Sequence, residues 1–269
     1  MTETDSHTPQ PASHPGDYPR AALVTGGARR IGREIALALA REGWAVAVHY
    51  HRSSEAAEQL VREIEDEGGR ALALAANLAE EAASSRLLPQ AVEALGPLGC
   101  LVNNASVFEL DHLETVSRES WDAHLEPNLR APLVLTQAFA TALPPERGGL
   151  VVNLLDQRVL NLTPYFVSYT VSKSALWTLT RTLALALAPR IRVNAIGPGP
   201  TLPSPRQSGE QFARQSAAMP LGRGASPEEI ADAVLFLLAA KSLTGQMIAL
   251  DGGQHLGWAQ PQTRLPPDE

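Results

Sequence analysis

From Ala21 onward, seven short β-rich runs alternate with longer segments of helical periodicity, and this alternation limits the possible folds more than any other feature. The runs are AALVT (21–25), WAVAVHY (44–50), ALALAAN (71–77), CLVNNA (100–105), LVVNLLD (150–156), IRVNAIG (191–197) and QMIALDGG (246–253). Helices are expected over 31–42, 54–67, 80–95, 118–143, 167–188 and 227–239. Strands separated by helices at this spacing make βαβ units. The expected fold is therefore α/β: a single doubly wound domain whose seven-stranded, mostly parallel sheet has helices on both faces. No internal repeat or composition break divides the chain, so one domain should span 20–258. The segments 1–19 and 259–269, rich in Pro and polar residues, read as flexible tails.

The 44% apolar content over 269 residues is enough for a packed core and excludes disorder throughout. With 22 basic and 29 acidic residues the net charge is −7, which offers no electrostatic support for a nucleic-acid or anionic-membrane partner. A lone cysteine, Cys100, excludes an intrachain disulfide and a Cys-based metal centre. The first twenty residues lack the basic and apolar regions of a secretory signal, and no apolar run is long enough to span a bilayer. A soluble, cytoplasmic protein is expected. The segment Ala175–Ala188 is apolar nearly all round apart from Arg181. It is either buried within one subunit or packed against a second copy, and a homo-oligomer (dimer or tetramer) is favoured.

LVTGGARRIG places a strand, a glycine turn and a helix start in immediate succession. Gly26 and Gly27 permit the tight turn, Gly32 lets the helix pack close to the strand, and the helix N-terminus offers free N–H groups to a pyrophosphate. Arg30 stands where the usual pattern has its middle glycine. About 20 residues further on, NAD-binding folds carry a carboxylate for the ribose hydroxyls. Here the run is His49-Tyr50-His51-Arg52-Ser53. Arg52 and Ser53 suit a 2′-phosphate, so NADPH/NADP is the expected cofactor. His49 and His51 share a strand face, but no third ligand is nearby in sequence and no metal is expected.

Lysine occurs only twice, at Lys173 and Lys241, against 20 arginines. Lys173 lies four residues after Tyr169 in YTVSK, on the same helical face. A cation beside a phenol favours the phenolate, which brings its pKa of about 10 closer to working pH and makes it a candidate proton donor.

These motifs together resemble the short-chain dehydrogenase/reductase family, which has a Rossmann-type fold. The matching residues are the TGGARRIG turn, Asn103-Asn104-Ala105, Asn128, YTVSK, Ile196-Gly197-Pro198-Gly199 and Leu250-Asp251-Gly252-Gly253. The resemblance implies that Tyr169 is the acid/base, that Lys173 holds the nicotinamide ribose and lowers the Tyr169 pKa, and that Asn128 supports a proton-relay water. It also implies cofactor contacts from Gly26, Arg29, Arg30, Ile31, Gly32, His51, Arg52, Ser53, Asn77, Leu78, Asn104, Ala105, Tyr169, Lys173, Pro198 and Gly199. Asn77 replaces the Asp that usually accepts from the adenine amino group, and its amide oxygen can still accept.

Thirteen residues before the tyrosine the family normally has Ser or Thr, whereas this chain has Asp156. A carboxylate suits a cationic or N–H-bearing heterocycle better than a carbonyl, which offers lone pairs only. Together with Arg30, the HYHRS run and NNAS followed by Phe108, Asp156 makes the chain similar to the pteridine reductase branch of the family. That branch implies hydride transfer to a C=N bond of a pterin or dihydrofolate-type substrate, with Arg30, Ser106, Phe108, Asp156 and Tyr169 at the substrate. Two alternatives remain at this point. One is a ketone or 3-ketoacyl reductase in which Asp156 is incidental, and the other is a catalytically silent NADP(H)-binding sensor, which would not need to keep Tyr169, Lys173 and Asn128.

Overall fold

The structure is a computed structural model describing residues 18–257. Its strands are β1 (Ala21–Val24), β2 (Ala45–Tyr50), β3 (Ala71–Ala75), β4 (Cys100–Asn103), β5 (Gly149–Leu154), β6 (Ile191–Pro198) and β7 (Met247–Leu250). They form one sheet in the order β3-β2-β1-β4-β5-β6-β7, and every neighbouring pair is parallel. The strand order reverses between β1 and β4, which opens a crevice at the carboxyl ends of the strands.

Alternate residues of each strand feed opposite cores. Ala22 and Val24 point to one face with Ile35, Leu39, Leu60 and Val234, carried by α1 (Arg30–Arg41), α2 (Ser54–Asp66) and α8 (Pro227–Ala239). Leu23 points to the other face with Leu87, Leu135 and Ala184, carried by α3 (Glu81–Leu95), α5 (Ala131–Ala142) and α6 (Val167–Leu187). Because both faces are covered, the central strands are apolar almost without interruption.

The helix expected over 118–143 is interrupted. α4 (Arg118–Leu125) is followed by a π turn, Glu126–Arg130, before α5 begins. Pro127 and Pro132 lack the amide proton that a regular ladder would use there. Between β6 and α8, where no helix is expected, the chain forms α7 (Gly209–Ala217), opened by a reciprocal Ser208–Gln211 capping box. The S-G-E-Q spacing was already present as a helix-start signal.

α6 buries one face, through Tyr169, Lys173, Leu176, Thr180 and Ala184, and leaves Leu185 84% exposed. Burial within a single subunit therefore does not explain its all-round apolar character. The expected tails lie outside the described residues except for Tyr18 and Pro19. Tyr18 packs against the core, and its hydroxyl accepts from Arg192 Nε at 2.9 Å. Among the described residues no helix is long and apolar enough to cross a membrane.

Candidate active site

A cleft of about 480 Å³ occupies the crevice at the strand ends. At the turn between β1 and α1, Gly26 adopts φ +61°, and a Cβ there would lie 3.0 Å from Ala105 Cα. Asn104 holds the turn by donating from Nδ2 to Thr25 O (2.9 Å) and Gly26 O (3.1 Å). Thr25 Oγ1 accepts from the backbone N–H groups of Asn104 and Ala105. The first turn of α1 contains no acidic residue, and Arg29 at its N-cap makes no side-chain cap bond. The uncapped N–H groups and positive dipole end suit an anionic group.

Arg29, Arg30, Ile31, Gly32, Asn104, Ala105, Pro198 and Gly199 all line this cleft. Arg30 takes the left-handed conformation, φ +54°, that glycine adopts without strain. Its guanidinium donates to Pro203 O (3.0 Å) and Leu202 O (3.3 Å), so here it ties the turn to the loop before α7.

His49, for which the sequence suggested no individual role beyond its place in the HYHRS run, ties the turn to the strand ends. Its Nδ1 accepts from Gly26 N–H at 3.0 Å, and its Nε2 faces Ala76 O at 3.2 Å. That pattern requires a neutral imidazole protonated on Nε2. Burial pushes its pKa down to about 4, opposed by the Ala76 hydrogen bond and assisted by His51.

His51 lines the cleft, whereas Arg52, Ser53, Asn77 and Leu78 lie beyond its walls near the ends of β2 and β3. Ser53 precedes α2 and makes no side-chain cap bond. The Asn77 amide is engaged locally, accepting from Ala79 N–H (3.2 Å) and donating to Glu80 Oε1 (2.9 Å). The Leu78 side chain belongs to the core, which leaves only its backbone for a ligand.

At the opposite end, Tyr169 donates its hydroxyl proton to Asp156 Oδ2 at 2.9 Å, while Asp156 Oδ1 accepts from Arg158 N–H at 2.8 Å. Lys173 Nζ donates to Leu154 O (2.8 Å) and lies 5.8 Å from the centre of the Tyr169 ring. Burial pushes the Lys173 pKa down to about 8, with Asp156 pulling the other way. The Phe108 ring stacks on Phe166 at 4.5 Å and meets Tyr169 edge-on at 4.6 Å. Arg206 lies 5.1 Å from the Phe108 ring centre and donates to Phe108 O (2.9 Å) and Glu109 Oε2 (2.7 Å). Ser106 also lines the cleft.

Asn128 is not on the cleft wall. Its amide donates to Val107 O (2.9 Å) and Ser172 Oγ (3.1 Å) and accepts from Val107 N–H (2.8 Å), so its side chain fastens the loop after β4 to α6. The expected water-relay role therefore finds no free amide group; it is left with the Asn128 backbone.

Sequence reasoning missed a buried network behind Tyr169. Asp111 accepts from Ser168 N–H (3.2 Å) and Ser120 Oγ (3.2 Å), and also from Ser168 Oγ. His124 accepts from Glu109 N–H at 3.0 Å and shares its Nδ1 with Ser120 O and Ser168 Oγ. Asp111 thereby caps α6 from 57 residues away, a separation at which no sequence periodicity could reveal the pairing.

The family model described as enoyl-(acyl carrier protein) reductase, one of the short-chain dehydrogenase models, matches residues 26–255. The chain belongs to the short-chain dehydrogenase/reductase family. It is an oxidoreductase, and its solved relatives in the family include FolM alternative dihydrofolate reductase 1 of Brucella suis in complex with NADP. That structure is 50% identical with a TM-score of 0.87, covering 90% of this chain and 97% of that one. The corresponding Brucella canis structure, also with NADP, is 47% identical with a TM-score of 0.85, covering 91% and 98%. The 3-oxoacyl-[acyl-carrier-protein] reductase FabG of Staphylococcus aureus is 34% identical over 242 residues, 88% of this chain and 98% of that protein.

Proposed function

We propose that this short-chain reductase uses NADPH to reduce a C=N bond of a dihydropterin or dihydrofolate-type substrate. The observation that carries the reading is the Tyr169–Asp156 hydrogen bond of 2.9 Å, which puts a carboxylate beside the proton donor. The likeness to the two Brucella FolM structures supports the same reading.

The cleft fits a phosphorylated dinucleotide. Its α1 N-terminus is uncapped, Arg29 and Arg30 stand at its mouth, and a Cβ at Gly26 would close on Ala105. Arg52 and Ser53 at the α2 N-terminus would hold the 2′-phosphate, and Lys173 the nicotinamide ribose. NADPH supplies the hydride when bound. Tyr169 holds the proton at its hydroxyl oxygen and gives it to the substrate nitrogen. Asp156 orients that hydroxyl by accepting from it and favours an N–H-bearing ring over a ketone. The Lys173 ammonium offsets the phenolate charge left behind. Asn128 positions the loop that carries Phe108, whose ring forms the stacking surface for the substrate.

The assignment is tested by following NADPH oxidation with dihydrobiopterin, dihydrofolate and a panel of ketones. Turnover confined to ketones would favour the second reading, a 3-ketoacyl-type reductase, which the FabG relatives support. The exposed strip of α6 around Leu185 suits packing against a second copy of the chain, a homo-oligomer that light scattering would test.

A further inference from the structure

Phe108 and Tyr169 meet on the cleft wall, and each sits beside backbone groups that a buried side chain holds. Val107 N–H donates to Asn128 Oδ1 at 2.8 Å and Glu109 N–H to His124 Nε2 at 3.0 Å, so Phe108 is fastened on both sides. Phe166 N–H donates to Asp111 O at 2.7 Å and Ser168 N–H to Asp111 Oδ1 at 3.2 Å, which fixes the chain just before Tyr169. Phe166 takes a left-handed φ of +58°, a conformation that is costly for a side-chain-bearing residue and persists only where the surroundings enforce it. Asp111, His124 and Ser168 are at most 2% exposed, and none of them lines the cleft. They reach the reaction only through Phe108 and Tyr169.

The bonds among these residues run in one direction. Because His124 Nε2 accepts an N–H, the ring carries its proton on Nδ1, which faces Ser120 O (2.9 Å) and Ser168 Oγ (2.8 Å). Ser168 Oγ in turn donates to Asp111 Oδ2, which also accepts from Ser120 Oγ at 3.2 Å. The Asp111 side chain accepts each of these bonds and donates none. An isosteric amide would reverse the sense. Its N–H group facing Ser168 Oγ would turn the serine proton towards His124, and the imidazole would then present Nε2–H to Glu109 N–H.

We propose that Asp111, His124 and Ser168 are positioning residues for the proton transfer. By holding the chain around Phe108 and Tyr169, they fix the angle at which the Tyr169 hydroxyl meets the bound substrate, and the one-way polarity ending on Asp111 is what keeps them in register. The His124 ring itself meets Tyr169 edge-on at 6.0 Å. A displacement of about 1 Å at a reacting group costs up to about 100-fold in rate. The inference rests on Tyr169 as the proton donor and holds for either substrate reading.

The test is single-turnover NADPH oxidation by the full chain in stopped flow, with dihydrobiopterin or, if wild type reduces only ketones, with the ketone it reduces fastest. Ser168→Ala keeps the backbone cap and removes the hydroxyl at which the bonds meet, and it should slow the turnover about tenfold. Asp111→Asn should slow it by about 10- to 100-fold. In both, the half-saturating substrate concentration should change by less than about threefold, and the NADPH Kd, from fluorescence titration, by less than about twofold. The double variant should be no slower than Asp111→Asn alone, because without the hydroxyl the amide meets no opposed proton. Circular dichroism fixes a temperature at which every variant is folded. Rates within about twofold of wild type, losses that multiply in the double variant, or a parallel rise in NADPH Kd each overturn the positioning role while Tyr169 stands as donor. Full activity in Tyr169→Phe, or a wild type that reduces nothing, overturns the parent reading and the positioning role with it. Ser168→Ala carries the test if Asp111→Asn does not fold.

Discussion

The Tyr169 hydroxyl and the Asp156 carboxylate share a hydrogen bond of 2.9 Å, although thirteen residues and the turn after β5 separate them. In most of the family a neutral Ser or Thr hydroxyl stands in that place. Tyr169→Phe should lower kcat by about 100-fold or more, the range for loss of a general acid, and leave the NADPH Kd within about twofold. Asp156→Ser should lower kcat/KM for dihydrobiopterin by at least about tenfold and raise it for small ketones. Parallel loss on both substrates would show that Asp156 does not select between them.

Lys173 should give the reaction an alkaline limit. Its pKa is pushed down to about 8 by burial, and the charged form is the one that steadies a phenolate. The kcat/KM for the substrate should be level below that pH and fall as pH rises through it. The profile of kcat/KM is measured at saturating NADPH, where it reports the enzyme–NADPH complex, and repeated for Lys173→Met, in which this limb should disappear at a much lower rate.

Arg52 should set cofactor preference. Arg52→Asp should raise the KM for NADPH by more than about tenfold through loss of a charge-assisted bond to the 2′-phosphate, and change that for NADH by less than about twofold. Equal changes for the two cofactors would remove Arg52 from that role.

His49 should make the fold sensitive to acid. Its pKa lies near 4 when folded, against 6.5 for the free side chain. The unfolded chain therefore binds the extra proton first, and stability is lost as pH falls from 6.5 towards 4, by at most about 3 kcal/mol. Urea unfolding of wild type and His49→Asn across this interval checks it, and the variant should show a shallower slope.

Much of the chemistry was legible in the chain because it is encoded locally. Tyr169 and Lys173 share a helix face by spacing alone, and the glycines at Gly26 and Gly32 mark the turn within seven residues of sequence. Less legible were the residues whose partners are distant. The Arg30 guanidinium bonds Leu202 and Pro203, more than 170 positions away, rather than standing free towards a phosphate. Asn128 spends its amide on Val107 and Ser172, and Gln157 meets the Gln254 turn almost a hundred residues on. Helix α7 had a readable capping box, whereas the π turn at Glu126–Arg130 depends on how two prolines are accommodated between α4 and α5.

By itself the sequence determined the alternation of elements, the glycine turn between β1 and α1 and the shared helix face of Tyr169 and Lys173, because periodicity, glycine conformation and i, i+4 spacing act within a few residues. Only the tertiary structure decided which groups line the cleft and which are spent holding it: His49 pinning Gly26 to Ala76, Asp111 capping α6, and Asn128 fastening the loop after β4 to α6. Those outcomes depend on long-range packing, where each hydrogen-bonding group takes the partner that the assembled fold brings within reach.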